Sequence, residues 1–187
     1  MYLADKFFYM KEIRVLDKEF DLFISASAIS SRIDEIANEL NRDFAGKKPL
    51  FIGILNGSFM FASDLFKRLR IDAQITFLKL ASYQGTTTTG TVKQLIGLNQ
   101  DLKGQEVIIL EDIVDTGITL ENIIRQLNGY QPASVKVITL LYKPDAYTRD
   151  IKLDYIGFSI PNDFIVGYGL DYDGYGRNYE DIYKLKS

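Results

Sequence analysis

The stretch VIILEDIVDTGITLENII, residues 107–124, sets Glu111, Asp112 and Asp115 at the end of an aliphatic run and then turns on Thr116 and Gly117. Carboxylates drawn out of water need cations, hydrogen-bond donors or a ligand beside them. If the aliphatic run is a buried strand and LENII opens a helix, the turn offers unpaired backbone amides at the positive end of a helix dipole. Together with the hydroxyls of Thr116 and Thr119, those amides form a cradle for a phosphate monoester. Glu111 and Asp112, directly before it, are acceptors suited to sugar hydroxyls or a hydrated divalent cation. No Gly-x-x-x-x-Gly-Lys-Ser/Thr occurs, so this is not a P-loop. A solvated helix cap accounts for one Asp or Thr, but Glu111, Asp112, Asp115, Thr116 and Thr119 together behind a buried strand point to a ligand.

Two absences narrow the chemistry further. The chain has no Cys and no His, which removes disulfides, thiolate nucleophiles, histidine triads and histidine- or cysteine-ligated metals. Proton transfer falls to Asp, Glu, Lys or Tyr, and a metal would sit among oxygens, which favours magnesium, calcium or manganese. A net charge of −3 and a pI near 5.1 supply no bulk attraction to nucleic acid or to anionic membrane, and neither is expected as a partner. No segment approaches the ~20 apolar residues of a membrane span, and the amino-terminal residues lack a signal-length apolar run, so a cytoplasmic protein is expected. A length of 187 residues suits one domain spanning 1–187.

The elements that must position these residues are legible from periodicity. Ile29, Ile33, Ile36, Ala37, Leu40 and Phe44 recur at helical spacing between Ser25 and Gly46. Residues 49–55 read as a strand covered on both faces, and Ala62, Leu65, Phe66 and Leu69 as a second helical stripe. Further strands are predicted at 73–80, 106–110 and 134–142, and a third helix through Leu120, Ile123, Ile124 and Leu127, closed by Asn128 and Gly129. Residues 81–93 form a polar, aperiodic loop of the kind that often acts as a lid. Strands alternating with helices predict an α/β fold with a mostly parallel twisted sheet, whose ligands bind beyond the strands' carboxyl ends. The polar turns at 56–58, 111–119 and near 143 fall at such ends.

ILEDIVDTGIT (109–119) resembles the phosphoribosyl pyrophosphate motif of the purine phosphoribosyltransferases, and the chain as a whole is most similar to the hypoxanthine–guanine branch of the type I fold. ILNGSFMF (54–61) resembles the family's pyrophosphate loop, which implies a non-proline cis peptide between Leu55 and Asn56, with Gly57 and Ser58 completing the loop. Ser82 and Tyr83 head the segment that resembles the mobile lid. LLYK (140–143) sets Lys143 where the family places a donor to the purine's exocyclic oxygen. PNDFIVGYGLDYDGYGRNY (161–179) resembles the closing segment, implying Phe164 and Ile165 at the purine, Asp171 at the metal and Arg177 near pyrophosphate, under a small hood built from the two termini.

The resemblance implies purine salvage: transfer of a 5-phosphoribosyl group from phosphoribosyl pyrophosphate to a 6-oxopurine, with magnesium held by Glu111, Asp112 and Asp171. The residues from Glu111 to Thr119, Ile118 included, would bind the ribose phosphate, and Asp115 would be the proton acceptor. Lys143 can donate to a carbonyl but cannot accept from an amine, which favours oxopurines over adenine. A homodimer or homotetramer is implied as well. The chain departs from close relatives at Asn56, where Lys is common, at Ile118, and at Gly176, where a bulkier residue usually precedes the arginine. Three other readings stay open: an RNA-binding regulator on the same scaffold, a phospho-accepting receiver domain, and pyrimidine or adenine transfer within the same fold, the last separated mainly by Lys143 and the segment around Phe164.

Overall fold

A strand that is apolar on both faces must lie inside a sheet covered on both sides, and LFIGIL does so in the computed structural model, which describes residues 11–81, 93–96 and 100–186. In chain order the elements are β1 (Glu12–Val15), β2 (Lys18–Ile24), α1 (Ala26–Asp43), β3 (Leu50–Leu55), α2 (Phe59–Phe66), β4 (Gln74–Ala81), β5 (Lys93–Ile96), β6 (Glu106–Val114), α3 (Ile118–Asn128), β7 (Ser134–Tyr142), β8 (Tyr155–Ser159), β9 (Ile165–Val166) and β10 (Ile182–Leu185). The larger sheet runs β5-β4-β3-β6-β7-β8, parallel throughout except for β5 at its edge. The smaller sheet, β1-β2-β10-β9, is antiparallel and joins the two ends of the chain.

Alternation along β3 and β6 sends side chains to opposite faces. Phe51, Ile108 and Leu110 meet the buried stripes of α1 and α2, including Ile33, Leu40, Phe61 and Leu65. Leu50, Ile52, Val107 and Ile109 meet Leu120, Ile123 and Leu127 of α3. The mostly parallel α/β sheet expected from the alternation of strands and helices is therefore the one found, with helices on both faces. α1 begins where Ser25 caps it by accepting from the Ala28 amide at 3.3 Å. Asp181, buried directly before β10, accepts from the Ala26 amide at 2.6 Å and ties the smaller sheet to that helix.

Two local expectations are revised. β6 continues past Leu110 to Val114, because its ladder with β7 persists as far as Val114 opposite Tyr142; Glu111 and Asp112 are strand residues rather than turn residues. α2 ends at Phe66, and Leu69 packs on the core from beyond the helix. α3 closes at Asn128 and Gly129 as the sequence suggested, Gly129 capping it with φ −61°. The strands β3, β6 and β7 end together at Leu55, Val114 and Tyr142, which brings their following loops to one edge.

Candidate active site

The turn after β6 is shaped to leave amides free. Gly117 stands at the amino cap of α3 with φ +81°, a conformation that disfavours side chains, and no side chain caps the helix. The first regular bond of the helix runs from the Glu121 amide to the Gly117 carbonyl at 2.9 Å. The amides ahead of it have no regular helical acceptor, and the Ile118 amide makes a long 3.5 Å bond to Thr116 Oγ1. Thr116, Ile118 and Thr119 are exposed there, Ile118 at 47%. The loop after β7 braces the turn from behind: Thr148 donates to the Thr116 carbonyl through its amide at 3.3 Å and its hydroxyl at 3.2 Å. A Cβ on Gly117 would stand 2.5 Å from the Tyr147 ring and 3.0 Å from Arg149 Cγ.

Glu111 is only 6% exposed and has no described cation as partner. Burial first, and the Asp112 charge second, push its carboxyl well above the ordinary glutamate range. Asp112 is raised to about 6, mainly by burial; Asp171 adds to the rise, while backbone amides and Arg177 oppose it. The two adjacent carboxyls at the strand end offer oxygens to hydroxyls or a cation.

Asp112 also fixes the loop after β3. A Cβ on Gly57 would fall 1.5 Å from Asp112 Oδ2, so that carboxylate lies directly against the Gly57 backbone. The Leu55–Asn56 peptide is cis, as the resemblance implied. Asn56 is exposed, whereas Ser58 is fully buried and turns its hydroxyl inward to the Ile54 carbonyl at 2.6 Å, so its side chain braces the loop.

From the other side the carboxyl-terminal segment closes on this loop, since a Cβ on Gly169, itself at φ +98°, would meet the Gly57 carbonyl at 2.1 Å. Arg177 Nη1 donates to the Gly169 carbonyl at 2.7 Å, and Arg177 Nη2 pairs with Asp171 Oδ1 at 2.5 Å. Asp171 Oδ2 accepts from the Gly174 amide at 2.7 Å. Gly176 adopts φ +91°, a left-handed turn that a bulkier residue would strain, and Arg177 beside it is held at two points.

Beyond β7, Lys143 is 8% exposed and its Nζ lies 3.6 Å from Asp115 Oδ2 and 3.3 Å from Asn162 Oδ1. Phe164 is 45% exposed; its ring packs against Phe20 at 6.3 Å and edge-on to Tyr172 at 5.9 Å, with Ile165 buried behind it. Asn162 and Arg149 are the residues the sequence reading passed over. Asn162 sits two positions before Phe164 in a segment singled out for other residues; Arg149 lies in an irregular loop whose only signal was its position after Lys143. Ser82 and Tyr83 lie outside the described residues.

The donor set is all oxygen, as a hard divalent cation requires. Among the described residues no three acidic side chains converge into a cage. Magnesium that keeps its waters and arrives on a substrate's phosphates needs only one or two carboxylates. Asp112 against Gly57 and Asp171 beside Arg177 meet that lesser requirement.

Comparison with known proteins agrees with this arrangement. A family model for the phosphoribosyl transferase domain matches residues 25–173. The chain is 38% identical over 168 residues to the hypoxanthine-guanine phosphoribosyltransferase of Mycobacterium tuberculosis, covering 86% of this chain and 82% of that one. It is 39% identical over 166 residues to the enzyme of the same name from Streptococcus pneumoniae, covering 88% and 92%. The crystal structure of a hypoxanthine-guanine phosphoribosyltransferase from Bacillus anthracis superposes with a TM-score of 0.84 at 38% identity, over 89% of this chain and 98% of that one. A fold in which the β6 turn, the β3 loop and the closing segment meet at one sheet edge, shared at this identity over most of both chains, settles the kinship: the chain belongs to the hypoxanthine–guanine phosphoribosyltransferase family.

Proposed function

We propose that this protein transfers the 5-phosphoribosyl group from phosphoribosyl pyrophosphate to hypoxanthine and guanine, releasing pyrophosphate and forming the purine nucleotides. The observation that carries this reading is the position of Asp115, which follows the acidic strand end, opens the uncapped turn before α3 and reaches Lys143 at 3.6 Å. One residue thus borders both a phosphate cradle and a donor suited to a purine carbonyl.

In this reading the 5-phosphate rests on the amides and hydroxyls of residues 116–119, and Glu111 and Asp112 accept from the ribose hydroxyls. Breaking the anomeric bond builds positive charge on the sugar while an imidazole nitrogen of the purine forms the new bond to that carbon. Asp115 takes the proton that this nitrogen sheds, the role left to a carboxylate in a chain without histidine. Lys143 donates to the 6-oxygen, Phe164 stacks on the ring, and Arg177 with the amides of the 55–58 loop receives the departing pyrophosphate. Magnesium arriving on the substrate's phosphates, met by Asp112 and Asp171, would neutralise charge on that pyrophosphate.

Assembly as a homodimer or homotetramer in the cytoplasm belongs to the same proposal; exposed Phe59, beside the 55–58 loop, is surface an interface would cover. Among the described residues no helix is long and apolar enough to cross a membrane.

The test offers the purified protein phosphoribosyl pyrophosphate and magnesium with hypoxanthine, guanine, xanthine, adenine or uracil in turn. Nucleotide from an oxopurine, lost on chelation, supports the proposal. No nucleotide from any base, with phosphoribosyl pyrophosphate still bound, rejects it.

A further inference from the structure

Phe164, which the proposed function sets against the purine and which directly precedes β9, is packed by other elements of the chain. β2 places Phe20, fully buried, 6.3 Å from its ring centroid. Tyr172 meets the ring edge-on at 5.9 Å and 87°, within the distance and orientation at which aromatic pairs attract. An edge-on neighbour fixes a ring's tilt only if the neighbour is fixed, and Tyr172 is: its hydroxyl donates to Asp17 Oδ1 at 3.0 Å across 155 positions of sequence. Asp17 belongs to the two-residue turn closing the β1–β2 hairpin, whose register pairs Val15 with Lys18. Leu16 holds φ +53° in that turn, and Arg14 Nε donates to the Leu16 carbonyl at 3.1 Å. Lys18 Nζ lies 5.3 Å above the Tyr172 ring. One hairpin therefore grips Phe164 twice, through Phe20 beneath it and through Asp17 acting on Tyr172.

We infer that Tyr172, held by Asp17, is a positioning residue for purine binding, setting the tilt of Phe164 for the incoming base. This rests on the proposed role of Phe164. The hydroxyl faces the hairpin and not the sheet edge where the phosphoribosyl group would lie, so its loss acts on the purine side. Tyr172 also directly follows Asp171, the partner of Arg177. A disturbance passed through the backbone would instead weaken phosphoribosyl pyrophosphate, and the two routes separate in the Michaelis constants.

The experiment measures KM for hypoxanthine and for phosphoribosyl pyrophosphate in the parent protein and in Tyr172→Phe, Asp17→Ala, Asp17→Asn and Phe164→Leu. Tyr172→Phe and Asp17→Ala each raise the hypoxanthine KM about three- to tenfold, the range for losing one hydrogen bond, and change the phosphoribosyl pyrophosphate KM less than about twofold. Their combination is no worse than either alone, because both remove the same bond. Asp17→Asn, which keeps an acceptor at Oδ1, stays near the parent. Tyr172→Phe with an unchanged hypoxanthine KM, while Phe164→Leu raises it, overturns the inference and leaves the role of Phe164 standing. An unchanged KM in Phe164→Leu overturns that role and the inference with it. An equal rise in both KM values in Tyr172→Phe also overturns it, by assigning the tyrosine to the Asp171 side.

Discussion

Lys143 Nζ lies 3.6 Å from Asp115 Oδ2 and 3.3 Å from Asn162 Oδ1, so in the free protein the donor assigned to the purine oxygen and the carboxylate assigned to the purine proton are partners of each other. In the proposed reading, seating the purine exchanges that contact for two others, one to the 6-oxygen and one to the imidazole nitrogen, and Asn162 remains as a neutral acceptor for the lysine. A lysine with only 8% exposure gains most from such a sequence of partners, since a buried ammonium left unpaired is costly.

Replacing that lysine tests the preference for oxopurines. Gln at this position can donate or accept through its amide. Lys143→Gln is expected to lower kcat/KM for hypoxanthine about 10- to 100-fold, the scale of a charged hydrogen bond, while the ratio of hypoxanthine to adenine narrows. Competition between the two bases in one reaction measures it.

The contact between Gly57 and Asp112 leaves no room for a methyl group. Gly57→Ala would put a Cβ 1.5 Å from Asp112 Oδ2, so either the carboxylate or the 55–58 loop must move. A displacement of about 1 Å in a reacting site costs on the order of a hundredfold. We expect that loss in kcat/KM for phosphoribosyl pyrophosphate, with the fold retained by circular dichroism. Unchanged kinetics would show that Asp112 and this loop do not act together.

Asp112 also carries a pH signature in magnesium-free buffer. Its carboxyl is raised by burial from about 3.8 to about 6. A raised acid stabilises the folded state while it is protonated, and that stability is lost as pH climbs from the unfolded value through the folded one. Asp112→Asn should therefore match the parent near pH 3.5 and become more stable than it by on the order of 1–2 kcal/mol by pH 7, after discounting for partial exposure. Thermal midpoints across that range follow the difference, and a variant less stable at pH 7 would contradict the assigned burial.

How much of this was legible beforehand depended on whether the determining contacts were local. The helix at Ala26–Asp43 follows from its own spacing and its Ser25 cap, and β7 was bounded correctly at 134–142 by its aliphatic run. The smaller sheet was foreseen only as a hood, because its strands are short and half charged: β1 reads EIRV, β9 is two residues, and β2 is completed by β10, with Phe20 opposite Leu185. No local pattern announces a pairing that spans the chain. At the site, the motif residues were recognisable by order, but the contact of Lys143 with Asn162 and the inward turn of the Ser58 hydroxyl depend on how separate loops meet. The continuation of β6 through Glu111 and Asp112 was hidden for the same reason, since only the ladder to β7 keeps two carboxylates in a strand.

The proton acceptor is the most direct point of attack. Asp115→Asn keeps the shape and the hydrogen-bonding reach of the side chain but removes its basicity. General-base catalysis contributes roughly a hundredfold or more, so kcat for nucleotide formation from hypoxanthine should fall by at least that factor, while the dissociation constant for phosphoribosyl pyrophosphate with magnesium changes less than about threefold. Equal losses in turnover and in phosphoribosyl pyrophosphate binding would contradict the account and reduce Asp115 to a wall of the phosphate cradle.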